Sequence, residues 1–243
     1  MLADPAAALA VAQGPEGVAA GLSPGKGYVD VSTVDVATSR AVAGAVRASG
    51  ALFLEAPVSG SKGPAEQGQL IFLTAGDEQL YHACSPALDV MGKAKFYLGG
   101  GGKGGGGGGG GKEGEVGNGA IMKLVINQIM GGVLVAFAEG MNLASAAGLD
   151  EKQVLEVASL GAIANPMMAL KGAAMVERRY PTAFPLKHSE KDLRLALALA
   201  KELGLGEEGT GVVKAAYAAH QRASAMGKGD DDFSAVMEAV LKK

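Results

Sequence analysis

The hydrophobic pattern of this chain has two regimes. In the first hundred residues, short apolar runs bounded by Gly, Pro, Ser and Asp recur: "GYVDVS" (27–32), "ALFLEAPV" (51–58), "GQLIFLTAG" (68–76) and "KFYLG" (95–99). Runs of this length and composition predict strands. The segments between them predict helices over 4–13, 33–50 and 77–92. Asp4 is placed to cap the first, with Pro5 at its first helical position. Gly50 closes the second and Pro86 interrupts the third. Beyond residue 115 the pattern is helical throughout, with helices expected over 119–147, 150–160, 167–178, 189–203, 209–226 and 232–242. Asp150 and Ser189 are the expected N-caps, and Ser189 with Asp192 resembles a capping box. Strands alternating with helices, then helices alone, predict an α/β unit followed by an all-α unit, with the change near residue 115.

Between the regimes lies "GGGGKGGGGGGGGKEGEVG" (99–117). Polyglycine buries no apolar surface and loses the most entropy on ordering, so this stretch is expected to be a flexible linker. It satisfies G-x-G-x-x-G only because eight consecutive glycines satisfy any glycine pattern, and it lacks the βαβ context of a dinucleotide-binding turn.

Composition narrows the function classes. Of 243 residues, 48% are hydrophobic and 19% charged, the profile of a globular protein, and the formal net charge is -3. No basic stripe is present, which argues against nucleic acid as a partner. The single cysteine, Cys84, excludes an internal disulfide and a cysteine-cluster metal site, and suits a reducing compartment. His82, His188 and His220 show no metal-ligand spacing. No run of 18 apolar residues exists, so no transmembrane helix is expected. The start lacks a basic region and carries Asp4 and Glu16, unlike a signal or transit peptide.

Two stretches carry candidate chemistry. In "GNGAIMKLVINQ" (117–128) a lysine, Lys123, sits in an otherwise apolar helix, one turn before Asn127 on the same face. A lysine in such a helix snorkels at the start of a core helix, or serves as a proton donor at a domain boundary with Asn127 beside it. In "EAPVSGSKGPAEQGQL" (55–70), Ser59, Gly60 and Ser61 follow the carboxyl end of a strand. Open α/β sheets bind ligands at such ends, and successive backbone N–H groups in a Gly/Ser turn form a cradle for an anion such as a carboxylate. An ordinary strand-to-loop turn would read the same way.

These two stretches, with "GYVDVSTVD" (27–35), "YPTAFPLKHSEKDLRLALALA" (180–200) and the ending "DFSAVMEAV", resemble the β-hydroxyacid dehydrogenases, and within them the plant-type glyoxylate/succinic semialdehyde reductases. The resemblance runs in order along nearly the whole chain. It implies a partial Rossmann (doubly wound) domain over 1–99, a glycine-rich insertion over 100–116, and a long interdomain helix opening an all-helical domain over 117–243. It also implies site roles. Lys123 falls on the family's catalytic lysine and Asn127 on the asparagine that helps hold substrate and lysine. Ser59 and Gly60 fall on the turn that grips the substrate carboxylate. Thr33 and Lys191 fall on cofactor-contacting positions, and Phe184 and Asp192 on residues that close the site from the helical domain.

The implied activity is NADPH-dependent reduction of small carboxylate-bearing aldehydes, glyoxylate and succinic semialdehyde, to hydroxy acids. The implied partners are the small-molecule substrate and a second copy through the helical domain, and the expected compartment is the cytoplasm, or an organelle if a transit peptide preceded Met1. Two departures from the family leave alternatives. Its first strands and pyrophosphate-binding turn have no counterpart here, so an N-terminally truncated chain with one unpaired sheet edge is expected. The glycine insertion also separates the sheet from the Lys123 helix and would loosen their register unless "EVGNG" re-docks the helix start. A catalytically inactive oligomerisation or binding module, and a 3-hydroxy acid dehydrogenase of the same family, are the competing readings.

Overall fold

The computed structural model describes residues 1–99 and 115–241. Most of the expected glycine linker, 100–114, lies outside the described residues, as do Lys242 and Lys243. The chain divides into two units, Met1–Val125 and Ile126–Lys243.

The first unit opens with α1 (Pro5–Gln13), whose Asp4 cap accepts the Ala7 N–H at 2.8 Å. Then come β1 (Gly27–Asp30) and α2 (Val36–Ala48). The α2 helix starts later than expected because the Asp35 carboxylate caps it, accepting the Thr38 N–H at 2.7 Å. The expected single strand over 51–58 is β2 (Leu52–Glu55) and β3 (Val58–Ser59), interrupted at Pro57, which has no N–H to give. A short helix not expected from the pattern, α3 (Lys62–Glu66), leads to β4 (Leu70–Gly76), α4 (Glu78–Met91) and β5 (Gly92–Tyr97).

β1 pairs parallel with β2, from Gly27↔Leu52 to Asp30↔Glu55. β4 runs antiparallel to both β2 and β3 in one continuous register, Leu54↔Gly76, Glu55↔Ala75, Val58↔Phe72 and Ser59↔Ile71. Ile71 and Phe72 also pair with β5, so β5 lies on the opposite side of β4 from β2 and β3. The sheet is therefore mixed. Val42, Val46 and Phe53 are fully buried in one apolar cluster of this unit, and Ala56, Val58, Phe72 and Leu88 form another. Pro86 does not interrupt α4: it is exposed, so the carbonyl it leaves without an amide partner is open to water.

α5 (Asn118–Ala146) is one unbroken helix of 29 residues. By length and composition alone it could cross a bilayer, with a mean hydropathy of 1.8 over its most apolar window, a test that a core helix also passes. Half of that window is buried within the protein.

The second unit continues with α6 (Glu151–Leu160), capped by Asp150, and α7 (Pro166–Glu177), α8 (Leu186–Glu202) and α9 (Gly211–Ala223). The last expected helix is instead a 3₁₀ segment, Phe233–Ala239, capped by Asp232. Leu134, Met141, Met175, Leu186, Leu193 and Phe233 fill its core. Ser189 is not an N-cap: α8 starts a turn earlier because backbone groups bind its first amides. The Leu186 N–H donates to the Asp231 carbonyl and the Lys187 N–H to the Gly229 carbonyl, each at 2.9 Å. Ser189 and Asp192 thus fall inside the helix, both buried.

Candidate active site

Within the first unit, Thr33 follows the carboxyl end of one strand and Ser59 is the carboxyl end of another. Thr33 lies in the loop between β1 and α2, half-buried. The loop before it is set by the buried Asp30 carboxylate, which accepts the Ser32 N–H at 2.8 Å. Ser59 ends β3, and Gly60 turns the chain away with φ +125°. A Cβ at Gly60 would lie 2.9 Å from Leu70 Cδ2 and 3.1 Å from Pro64 Cβ, so both backbone angle and space demand glycine there. Lys123 stands on the second turn of α5 and is buried, at 8% exposure, by the fold around it.

The register of that helix against the sheet is fixed by Glu55, the last residue of β2. Its Oε1 accepts the N–H groups of Gly117 at 2.7 Å and Gly119 at 2.8 Å, and its Oε2 accepts the Ser39 hydroxyl from α2. A buried carboxylate thus binds the otherwise unsatisfied donors of a helix N-terminus. A Cβ at Gly119 would approach the Leu73 carbonyl to 2.4 Å, which makes a glycine necessary for helix and sheet to come this close. Around this point Arg40 Nε donates to the Val116 carbonyl at 3.0 Å and Asn118 Nδ2 to the Leu98 carbonyl at 2.8 Å. The Glu115 N–H donates to the Gly99 carbonyl at 3.3 Å, so the two ends of the glycine insertion meet. "EVGNG" does re-dock the helix start. Burial pushes the Glu55 carboxyl up, and hydrogen bonds from Ser39, Gly117, Gly119 and Ala120 only partly offset this, leaving it above its ordinary value.

In the second unit three expected site residues come together. Asn127, buried, donates from Nδ2 to Asp192 Oδ2 at 2.6 Å. The Lys191 ammonium lies 3.2 Å from the other oxygen, Asp192 Oδ1, which takes no hydrogen bond among the described residues. That carboxylate thus retains acceptor capacity in a buried place. Phe184 lies on the loop before α8 and packs edge-on against Phe233, ring centroids 5.4 Å apart.

The Phe184 loop is held by a residue the sequence reading passed over. Asp232 Oδ2 accepts the N–H groups of Ala183 at 3.2 Å and Phe184 at 3.1 Å, and the Lys171 ammonium at 2.8 Å. Its Oδ1 accepts the N–H and hydroxyl of Ser234. Burial raises the Asp232 carboxyl, but the Lys171 and Ser234 hydrogen bonds and the Lys171 charge outweigh it, leaving it below its ordinary value. Ser189, freed from capping, meets the buried His220 at 3.0 Å, and His220 Nδ1 donates to the Ala216 carbonyl. One signal could have exposed Glu55: an acid closing an otherwise apolar strand run. Asp232 is the last of three aspartates, a run that reads as a solvated turn.

A second G-x-G-x-x-G, Gly204 to Gly209, joins α8 to α9 rather than a strand to a helix, and so is not a dinucleotide turn either.

Comparison with known proteins is consistent along the whole chain. Residues 1–99 match the NAD-binding domain of 6-phosphogluconate dehydrogenase, and residues 117–240 match the NAD-binding domain of NADP-dependent 3-hydroxyisobutyrate dehydrogenase. The chain is 54% identical over 240 residues to the chloroplastic glyoxylate/succinic semialdehyde reductase 2 of Arabidopsis thaliana. That match covers 99% of this chain and 62% of the relative. It is 48% identical to glyoxylate/succinic semialdehyde reductase 1 of the same plant, over 99% of this chain and 77% of that protein. Among solved structures, a 3-hydroxyisobutyrate dehydrogenase from Salmonella typhimurium superposes with a TM-score of 0.83 at 25% identity, over 98% of this chain and 76% of that one.

Proposed function

The chain belongs to the β-hydroxyacid dehydrogenase family, and from that premise we propose that it is an NADP-dependent oxidoreductase reducing small aldehydes that bear a carboxylate, glyoxylate and succinic semialdehyde among them. Both plant relatives are named as glyoxylate/succinic semialdehyde reductases. The observation that carries the reading is Lys123: a buried ammonium on a helix whose start is clamped to the sheet, one turn from an asparagine fixed by Asp192.

The residues present suit the cofactor this activity needs. Thr33 follows a strand end, where open α/β sheets place nucleotides. Lys191 supplies a cation, and Asp192 Oδ1 has acceptor capacity left for a donor. We assign Thr33 and Lys191 to hold it. NADPH, when bound, supplies the hydride. Ser59 and Gly60 hold the substrate carboxylate through the serine hydroxyl and the backbone N–H of Gly60, since the Ser59 N–H faces Ile71 in the sheet. Lys123 stabilises the negative charge that reduction leaves on the carbonyl oxygen, then gives that oxygen a proton from Nζ. Asn127, which Asp192 orients, takes the substrate-holding role that the family resemblance gives it, and Phe184 and Asp192 take the site-closing roles.

The same reading assigns 1–99 to part of a dinucleotide-binding domain and 117–243 to the family's helical domain, with the cytoplasm or an organelle as its location. It includes self-association through the helical domain, supported by Val157, Leu160, Ile163 and Leu170, all more than half exposed. Sedimentation velocity tests that part. The central test is a fluorescence titration with NADPH followed by glyoxylate turnover. Binding with turnover, and a fall in kcat of about 10²–10⁴-fold on Lys123→Met, is the expected result. A folded chain that does not bind NADPH would sink the reading.

A further inference from the structure

We propose that Glu55 is the positioning residue for Lys123. Its carboxylate indexes the first turn of α5 to the sheet, so that the lysine ammonium is set by a side chain on a different element. The inference rests on the reading of Lys123 as proton donor, but the geometry behind it does not.

Several observations point the same way. Glu55 is 2% exposed and sits at the end of a strand paired on both sides, with Asp30 across β1 and Ala75 across β4. The carboxylate therefore has a fixed backbone. One oxygen spans two amides, Gly117 and Gly119, on either side of Asn118, the first residue of α5. Two donors on one acceptor fix the rotation of the helix about its axis as well as its height, and side-chain direction on a helix follows from rotation. The second oxygen is held by Ser39, itself buried, so the carboxylate cannot swing away. Lys123 lies four residues beyond Gly119, one turn along the same helix. Arg40 Nε on the Val116 carbonyl and Asn118 Nδ2 on the Leu98 carbonyl brace the same turn beside Glu55.

Position here matters through rate. A proton donor displaced by about 1 Å can cost on the order of 10²-fold. Because Glu55 acts through acceptor oxygens, glutamine, which keeps one oxygen and the same shape, should do most of its work, whereas alanine should not.

The test uses the full chain and two readouts. The first needs no turnover: the rate of acetic anhydride labelling of Lys123, read by mass spectrometry, with amide exchange over 116–124 beside it. The second is kcat and KM for glyoxylate. Glu55→Ala is expected to label Lys123 about tenfold faster and to exchange faster over 116–124. Its kcat is expected to fall about 10²-fold with KM within about threefold. Glu55→Gln is expected to stay within about fivefold of the parent in each readout. If Glu55→Ala does not fold, Glu55→Asp draws the oxygens back by about 1.5 Å, one bond length of reach, and should raise labelling and lower kcat about tenfold. Unchanged Lys123 labelling in the folded Ala or Asp variant, or a Gln variant as damaged as Ala, overturns the proposal. A parent chain that labels as expected but turns over no aldehyde would overturn the functional reading and leave Glu55 as the clamp of α5.

Discussion

Each unit of this molecule uses one buried carboxylate to hold the backbone of a segment that carries a site residue, and the two do so in opposite electrostatic ways. Glu55 binds two amides at the start of the Lys123 helix, and the groups that bond it are a hydroxyl and backbone N–H donors. Asp232 binds two amides of the Phe184 loop, and a lysine ammonium joins them at 2.8 Å. The consequence appears in their ionisation: burial wins at Glu55, which is raised, and the hydrogen bonds from Lys171 and Ser234 with the Lys171 charge win at Asp232, which is lowered. The difference follows from what each holds. A helix N-terminus already presents aligned donors and the positive end of its dipole, so a carboxylate there is tolerable without a cation. A loop presents two isolated amides and no dipole, so a buried acid needs a counter-charge.

The sharpest way to break this contrast is to remove the counter-charge. Lys171→Met leaves Asp232 ionised and buried with hydrogen bonds alone, and is expected to destabilise the protein by about 3–5 kcal/mol in urea unfolding. Adding Asp232→Asn should restore part of that loss, because the uncompensated charge goes with it. A Lys171→Met variant as stable as the parent would show that the amides suffice there too, and the contrast would vanish. Gly119→Ala presses on the other side: its new methyl would meet the Leu73 carbonyl, so α5 must lift from the sheet. The expected loss is about 1–3 kcal/mol, with a fall in turnover larger than the loss of stability explains.

How far the sequence foretold this contrast depends on range. Capping at Asp4 and Asp150 is local chemistry, three residues or fewer, and it was legible. So were the strands, and Lys123 as an anomalous charge in an apolar helix. Ser189 was misplaced as a cap because the donors of α8 are satisfied by residues 229 and 231, more than 40 positions away, which no local pattern encodes. Glu55 and Asp232 escaped for the same reason: their amide partners lie 62 to 64 and 48 to 49 residues distant. The resemblance to a family located residues by role, yet neither clamp touches the chemistry, so neither stood out. An isolated acid in a strand is visible in sequence; what it binds is not.

The subtlest difference to measure is the pH dependence, where the two clamps should pull in opposite directions. Asp232 titrates below its ordinary value of 3.8 in the folded chain. As pH falls through that region the unfolded chain takes up a proton first, so the stability Asp232 contributes, full above about 4, is lost toward acid. Glu55 titrates above its ordinary value of 4.5. There the folded chain keeps a proton that the unfolded chain has released, so stability is highest at or below 4.5 and declines as pH rises through the folded value. Glu55→Gln carries no such proton. Its urea midpoint relative to the parent should therefore climb with pH over that window, while that of Asp232→Asn should drop as pH rises from about 3 to 5. Parallel curves for both variants would mean that neighbouring charges, rather than the presence or absence of Lys171, govern how each unit bears its buried acid.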